Sequence, residues 1–294
     1  MQALILISAS AKNPDLKNTL SYFMETVGMT KHRWLAEGEN DQWAIECHFK
    51  KEADKITSIR KMGDSLGLDI NLINEANRQK KLLLADMDST LVKGESLDEV
   101  AAKAGIGDQI ANITLQSMRG ELDFNQSIIR RIAMLKGLRE EILIEIIAET
   151  QLNNGASSLA PTMKKNGAFC YIVSGGFDFL AIPIAKKIGF DGSFSNRLEI
   201  EDLHLTGNLI PPILDLRAKQ ETLNYLCEKH NIKSSDVAAI GDGANDLRML
   251  ENAGLGVAFQ GKPLLREKVE TQLNHTDLTG LLFLQGYTSK EICS

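Results

Sequence analysis

A run of four apolar residues passes directly into a polar cluster in the stretch Leu82-Leu83-Leu84-Ala85-Asp86-Met87-Asp88-Ser89-Thr90. Apolar residues without alternation are typical of a strand that is buried on both faces of a parallel sheet. In open α/β sheets, ligands bind beyond the carboxyl ends of the strands, which is where both aspartates lie. The stretch therefore predicts an α/β domain with an acidic site at one strand end.

The two carboxylates of this stretch allow two interpretations. Side chains two positions apart point the same way in extended backbone, so Asp86 and Asp88 would repel each other unless a cation lies nearby. Ligands that are all oxygen favour Mg²⁺, which also binds a substrate phosphate. Alternatively, the cluster is a solvated turn, because Asp and Ser are common turn residues. These nine residues alone do not decide between the two.

Two later apolar runs also end in polar residues. Ala168–Val173 leads into Ser174-Gly175-Gly176, where a hydroxyl and a glycine turn before a helix would offer backbone N–H groups to an anion. Val237–Ile240 leads into Gly241-Asp242-Gly243-Ala244-Asn245-Asp246, and Lys219 begins the helix before that run. Each feature alone is an ordinary turn or a surface lysine. Their common order along the chain favours one shared site.

Together, D-x-D-x-T, Ser-Gly-Gly, the lysine and G-D-G-x-N-D resemble the haloacid dehalogenase-like phosphohydrolases over about Leu82 to Phe259. The resemblance implies a Rossmann-like parallel sheet, with Asp86 as the nucleophile that forms an aspartyl-phosphate. Asp88 would protonate the leaving oxygen and then activate water. The resemblance also implies that Mg²⁺ is held by Asp86, Asp242 and the backbone carbonyl of Asp88.

The same resemblance implies how the phosphoryl group is held. The groups expected to hold its oxygens are Ser174, a backbone N–H of Gly175 or Gly176, and Lys219. Asn245 would contact the substrate phosphate, and Asp246 would orient Lys219 or a water on the metal. Such a set of groups is physically reasonable, because phosphoryl transfer depends mainly on positioning and positive charge.

An insert with helical periodicity lies between the first and second motifs, from about Leu97 to Ala148. It resembles the helical cap that one class of these enzymes carries after the first motif, here at about residues 92–150. A cap over the strand ends would close on the substrate and set selectivity.

The cap pattern is similar to that of the phosphoserine phosphatase family, in which a glutamate binds the substrate ammonium and an arginine binds its carboxylate. This resemblance gives those roles to Glu95 and Arg131, with Met118 and Phe124 as an apolar wall. An arginine suits a carboxylate because its planar fork binds both oxygens. Alternatively, Glu95 is an acid in the first turn of a helix and Arg131 is an exposed charge.

The segment before the linker has a different pattern. Its predicted elements follow the order βαββαβ, which is typical of a ferredoxin-like plait. Their bounds are strands at 3–8, 32–36, 43–49 and 69–73, and helices at 16–27 and 52–66. In order and size this segment resembles the regulatory ACT domains, but a plain folding or dimerisation module explains it equally well. The predicted domains are 1–75 and 76–294.

Composition narrows the class of partner. The 294 residues are 43% hydrophobic and 24% charged, with a net charge of −6, as in ordinary globular proteins. A basic stripe for nucleic acid and an apolar run of about 18 residues for a membrane are both absent from the sequence. The cysteines lie far apart and no export signal precedes them, so a cytoplasmic protein with reduced thiols is expected. The sequence is compatible with a homodimer as well as with a monomer.

The resemblance implies a Mg²⁺-dependent phosphatase that converts O-phospho-L-serine and water to L-serine and phosphate, the last step of serine biosynthesis. A phosphotransferase is an alternative, because it shares the first half-reaction and passes the phosphoryl group to another alcohol. A phosphorylation-switched receiver is a second alternative. In receivers, however, the acidic pair and the phosphorylated aspartate lie on different strands, whereas Asp86 and Asp88 follow the same strand. A serine sensor acting through the first domain is a third.

Overall fold

The structure, a computed structural model, describes residues 2–10, 15–50, 56–75, 77–119, 121–215 and 217–293. The strands are β1 (Gln2–Ser10), β2 (Thr30–Glu37), β3 (Gln42–Lys50), β4 (Asp69–Ile73), β5 (Leu82–Ala85), β6 (Phe169–Phe177), β7 (Gly192–Glu201), β8 (His204–Ile210), β9 (Val237–Gly241), β10 (Leu255–Phe259) and β11 (Gln272–Leu273). The helices are α1 (Leu16–Thr26), α2 (Ile56–Ser65), α3 (Ser96–Lys103), α4 (Gly107–Met118), α5 (Phe124–Ala133), α6 (Glu141–Glu149), α7 (Ala156–Lys165), α8 (Asp178–Lys187), α9 (Ala218–His230), α10 (Leu247–Asn252), α11 (Pro263–Lys268) and α12 (Gly280–Leu284). None of these described helices is long and apolar enough to cross a membrane.

The first four strands form an antiparallel sheet of order β2-β3-β1-β4. In α1, Leu16, Leu20 and Phe23 recur at helical spacing and are buried against this sheet. Ile59 of α2 lies in the same apolar cluster. The predicted α+β order βαββαβ is therefore confirmed, although residues 51–55 at the predicted start of α2 lie outside the described part.

The remaining strands form a seven-stranded sheet of order β11-β10-β9-β5-β6-β7-β8, in which β8 alone runs antiparallel to its neighbour. Its central strand β5 is fully buried on both faces. Leu83 and Ala85 pack with α7, α8 and α12, while Leu82 and Leu84 pack with α9, α10 and α11. The predicted Rossmann-like parallel sheet is confirmed, and its carboxyl edge brings the ends of β5, β6 and β9 together.

Helices α3 to α6 form the insert between β5 and β6, and their apolar residues share one cluster with Phe177, Leu198 and Leu205 of the sheet. The two connections of this insert to the core lie side by side. Val92 and Leu152 form an antiparallel bridge, and the Lys93 N–H donates to the Gln151 carbonyl at 2.9 Å. The side-chain amide of Asn153 also donates to the Thr90 carbonyl at 2.7 Å. The insert is thus tied to the loop that follows β5.

Strand β6 differs from the prediction at its carboxyl end. We expected a glycine turn at Ser174-Gly175-Gly176, but the strand continues to Phe177. Val173 pairs with Phe194 and Phe177 pairs with Asn196, so three residues of β6 stand opposite one residue of β7. The segment is therefore a bulge inside a strand, which bends these three residues out of the ladder towards the site.

The antiparallel sheet packs directly on the carboxyl-terminal part of the parallel domain. Asp69 is 3% exposed, and its carboxylate accepts backbone N–H groups from Asn274, His275 and Thr276 at 2.8 to 3.2 Å. The side chain of Asn71 exchanges two hydrogen bonds with the backbone of Gln272. A buried carboxylate that accepts three N–H groups fixes one arrangement of the two domains, because an altered arrangement would leave polar groups buried without partners.

Candidate active site

Three carboxylates converge where β5 and β9 end. Asp86, Asp242 and Asp246 are 4%, 5% and 0% exposed, and each offers an oxygen within 4.8 Å of the others. Asp86 follows β5, while the other two follow β9 in the neighbouring position of the sheet. The family resemblance implied that Asp246 orients Lys219 or a water on the metal, and the structure places its carboxylate in this group.

Lys219 is the buried cation of this cluster. Its ammonium lies 2.8 Å from Asp86 Oδ1 and 2.5 Å from Asp246 Oδ1, and its side chain is 5% exposed. Burial alone would lower the pKa of Lys219, but the charges of Asp246 and Asp86 raise it above its ordinary value. The lysine is therefore charged at neutral pH and brings positive charge to the Asp86 carboxylate.

Asp88 is held apart from the cluster by the start of α3. Its carboxylate accepts the Ser96 N–H at 3.0 Å and the Ser96 hydroxyl at 3.1 Å. Burial, with smaller contributions from the charges of Glu95 and Asp86, raises the pKa of Asp88 to about 7. A carboxyl group with this pKa can carry a proton near neutral pH and can also give it up, as an acid–base group must.

The bulge in β6 lies against Asp88. The Ser174 hydroxyl is buried and accepts the Gly176 N–H at 2.9 Å. A Cβ atom on Gly176 would collide with Asp88 Oδ2, so only glycine lets the backbone come this close. Gly176, with the Ser174 hydroxyl bonded to its N–H, thus lies beside Asp88 of the first motif.

Two of the predicted cap residues, Glu95 and Arg131, lie within electrostatic reach of each other. Glu95 accepts a hydrogen bond from the Ser89 hydroxyl at 3.0 Å. Arg131 Nε is buried and has no hydrogen-bond partner in the part of the chain that the structure describes. Burial lowers the pKa of Arg131, and the charges of Asp98 and Glu95 partly oppose that shift, so the arginine and the glutamate interact electrostatically.

The structure describes the surroundings of Asn245, but not the side chains of two predicted cap residues. The side chains of Met118 and Phe124 lie outside the described residues. Asn245 lines a cleft of about 360 Å³ between the core and the start of α5, together with Asp123 and Asn125. Asn245 therefore lies where the cap and the core meet.

Lys262 is a charged residue of the site that the sequence reasoning missed. Its ammonium lies 3.1 Å from Asp242 Oδ2 and 3.5 Å from Glu95 Oε1, so it joins the core carboxylates to the cap. Its backbone N–H also donates to the Asp242 carbonyl at 2.9 Å. Nothing in the spacing of the motifs pointed to it, because it lies beyond the stretch, about Leu82 to Phe259, that carries the family resemblance.

The carboxylate cluster fits a divalent metal ion. Burial raises the pKa of Asp242, and burial together with the charge of Asp86 raises the pKa of Asp246. Three carboxylates face two lysine ammonium groups, those of Lys219 and Lys262, so the ionised cluster has more negative charge than its lysines neutralise. Carboxylate oxygens are the donors preferred by hard divalent cations, so an ion among these residues would relieve the repulsion.

Comparisons with known proteins agree with this geometry. The family model described as haloacid dehalogenase-like hydrolase matches residues 80–254. A relative from Archaeoglobus fulgidus, named phosphoserine phosphatase, is 39% identical over 82% of this chain and 70% of its own length. For two further relatives of that name, the matched part of this chain spans only 53% and 58% of their length.

Solved structures give the same result. A HAD family hydrolase from Salmonella enterica serovar Typhi is 31% identical with a TM-score of 0.87, covering 96% of this chain and 98% of that one. A structure described as a phospho-aspartyl intermediate analogue of phosphoserine phosphatase is 39% identical with a TM-score of 0.65, covering 70% of this chain and 98% of that one. The chain therefore belongs to the haloacid dehalogenase-like hydrolases, and the relatives compared above are named phosphoserine phosphatases.

Proposed function

We propose that this chain hydrolyses O-phospho-L-serine to L-serine and phosphate, with Mg²⁺ as the metal ion. The observation that carries the substrate assignment is Arg131 Nε, a buried donor without a partner in the described residues. A buried donor left unpaired costs free energy, so its presence favours a ligand that accepts from it. A substrate carboxylate would do so, and the nearby Glu95 would take the substrate ammonium.

The first half-reaction begins at Asp86. Its Oδ1 atom accepts hydrogen bonds from Lys219 and from the Met87 N–H, which orients the carboxylate so that Oδ2 can attack the phosphorus. The bond from phosphorus to the serine oxygen breaks as the new bond to Asp86 forms. Asp88 gives its proton to the leaving oxygen, and L-serine departs as the neutral alcohol.

The second half-reaction uses the same acid–base group in reverse. Asp88, now ionised, takes a proton from a water molecule, which attacks the phosphorus of the aspartyl-phosphate. The bond from phosphorus to Asp86 breaks, and phosphate leaves with the carboxylate restored. Mg²⁺ held by Asp86, Asp242 and the Asp88 carbonyl would supply positive charge that offsets repulsion between the carboxylate and the phosphoryl oxygens.

The phosphoryl oxygens have three groups available to them. These are the Ser174 hydroxyl, a backbone N–H of the Gly175-Gly176 segment, and the Lys219 ammonium. The lysine lies in contact with the nucleophile and the serine is beside Asp88, so both can reach a phosphoryl group between them. Such preorganised donors stabilise the charge that develops in the transition state.

The division into domains is part of the proposal. Residues 1–75 would form an ACT-like regulatory or structural domain and residues 76–294 the hydrolase, with its cap at about 92–150. A cytoplasmic location is supported by free cysteines at the four described positions, two of which, Cys47 and Cys170, are buried. Buried thiols without a disulfide suit a reducing compartment.

The proposal is tested by phosphate release from a panel of phosphate esters, with and without Mg²⁺. The panel contains phosphoserine, phosphothreonine, phosphohomoserine and a sugar phosphate. We expect the highest kcat/KM for phosphoserine and no release without a divalent ion. Equal rates across the panel would contradict the assignment to phosphoserine, while transfer of the phosphoryl group to an added alcohol instead of water would indicate a phosphotransferase.

A further inference from the structure

The bulge in β6 leaves one carbonyl group without its partner in the sheet. Because three residues of β6 stand opposite a single residue of β7, the ladder cannot pair the Gly175 carbonyl. The side-chain amide of Asn196 on β7 donates to that carbonyl at 2.9 Å. A side chain thus replaces a missing backbone hydrogen bond in the segment that would bind the phosphoryl group.

The other end of the same amide reaches a second element of the site. Asn196 Oδ1 accepts the Leu214 N–H at 2.8 Å. The next residue, Asp215, accepts the N–H groups of Arg217 and Ala218 at 2.7 and 3.1 Å, so its side chain caps the start of α9. Lys219 lies in the first turn of this helix. Asn196 is therefore connected, through one hydrogen bond and a helix cap, to the lysine that contacts the nucleophile.

Burial makes these two hydrogen bonds obligatory. Asn196 is 1% exposed, and a buried amide is costly unless its donor and its acceptor are both paired. Its two partners, Gly175 and Leu214, lie 39 residues apart in the chain, one in the β6 bulge and the other just before α9. A residue that served only the stability of the sheet would not need to join these two segments.

We propose that Asn196 is a positioning residue that sets the spacing between the Ser174–Gly176 segment and Lys219, and so fixes the width of the phosphoryl site. This inference rests on the proposed phosphohydrolase function of that site. It does not depend on which alcohol the phosphate ester carries. The prediction is that changes at Asn196 weaken phosphate binding equally for every substrate.

The test uses two neutral variants and a matched control. Asn196→Ala removes both hydrogen bonds, while Asn196→Ser leaves a hydroxyl that can reach one partner at most. The control, Asn166→Ala, also removes an amide donated to a backbone carbonyl, that of Thr162 at 3.1 Å, but at the opposite end of β6. Asn166 is exposed and lies away from the phosphoryl site, so this control tests the loss of one amide-to-carbonyl hydrogen bond elsewhere in the fold.

The readouts are the inhibition constant of inorganic phosphate and the KM values for phosphoserine and p-nitrophenyl phosphate, on folded protein below its melting temperature. For Asn196→Ala, we expect all three to rise about tenfold, the scale of one hydrogen bond, with a smaller rise for Asn196→Ser. The control should change the melting temperature alone. If Asn196→Ala does not fold, the prediction for Asn196→Ser is tested by itself.

Two results would overturn the inference. One is a lower melting temperature for the Asn196 variants with wild-type constants for phosphate and both substrates. The other is a loss confined to phosphoserine, which would place Asn196 in recognition of the amino acid. A failure of the proposed function is distinguishable, since wild-type protein would then leave phosphoserine intact while phosphate still competes for hydrolysis of p-nitrophenyl phosphate.

Discussion

Replacing Arg131 with alanine should change which ester the enzyme prefers. Its Nε atom is buried without a partner in the described residues, so no hydrogen bond at this atom is lost from the free protein. What disappears is the contact that the substrate carboxylate would make. A charge-assisted hydrogen bond contributes about 1.5–3 kcal/mol, which corresponds to about 10- to 150-fold in kcat/KM.

The assay compares two substrates that differ in the carboxylate. Phosphoserine carries the carboxylate, while phosphoethanolamine keeps the phosphate and the ammonium but lacks it. For Arg131→Ala, the ratio of the two kcat/KM values should fall by about 10- to 150-fold. The matched control is Arg130→Ala, because Arg130 is the neighbouring residue on α5 and is exposed. Its ratio should stay at the wild-type value.

One result would refute this reasoning. If Arg131→Ala lowers kcat/KM for both substrates equally, the arginine supports the cap and does not read the carboxylate. The substrate assignment would then lose the observation on which it rests. Melting temperatures of both variants, measured in parallel, ensure that the constants belong to folded protein.

Three further predictions follow from the site and from the domain contact. Asp86→Asn should lower turnover by about 10³-fold or more, because an amide is no nucleophile, and hydroxylamine trapping should detect a phosphoenzyme in the wild type only. Incubation with a chelator should abolish phosphate release and added Mg²⁺ should restore it, whereas activity that persists without a divalent ion would contradict the metal assignment. Asp69→Ala should lower the free energy of unfolding by about 3 kcal/mol, since three buried N–H groups lose their acceptor, as measured by urea denaturation. Its control is Asp64→Ala, which removes only an exposed contact to His275 and should cost less than about 1 kcal/mol.

The sequence predicted the elements well where burial follows a simple pattern. The β5 run has no polar position, and its predicted bounds agree with the structure, as do those of β4. The three acidic positions after β5 and β9 could also be expected to meet, because neighbouring parallel strands end at the same edge. Runs of buried residues, and the common edge at which parallel strands end, can therefore be predicted from the sequence.

Features that depend on which particular residues of two elements pair were not predicted. The bulge in β6 exists only relative to its partner β7, and glycines at that point fit a turn equally well. Lys262 follows β10 and Asn196 lies on β7, so neither belongs to a motif. Only the folded chain brings them to the site. A lysine and an asparagine in such positions look like ordinary surface and turn residues until the tertiary structure gives their partners.

The paired connections of the cap have a consequence for how the enzyme can vary. The bridge between Val92 and Leu152 brings the two ends of the insert together. Contacts at the ends of the insert itself therefore offset the entropy lost in closing this long loop. The core sheet therefore meets the same two chain ends whatever lies between them. A cap of another length or shape could be grafted at this junction, and the hydrolytic chemistry of the core would meet a new substrate without a change in its own sequence.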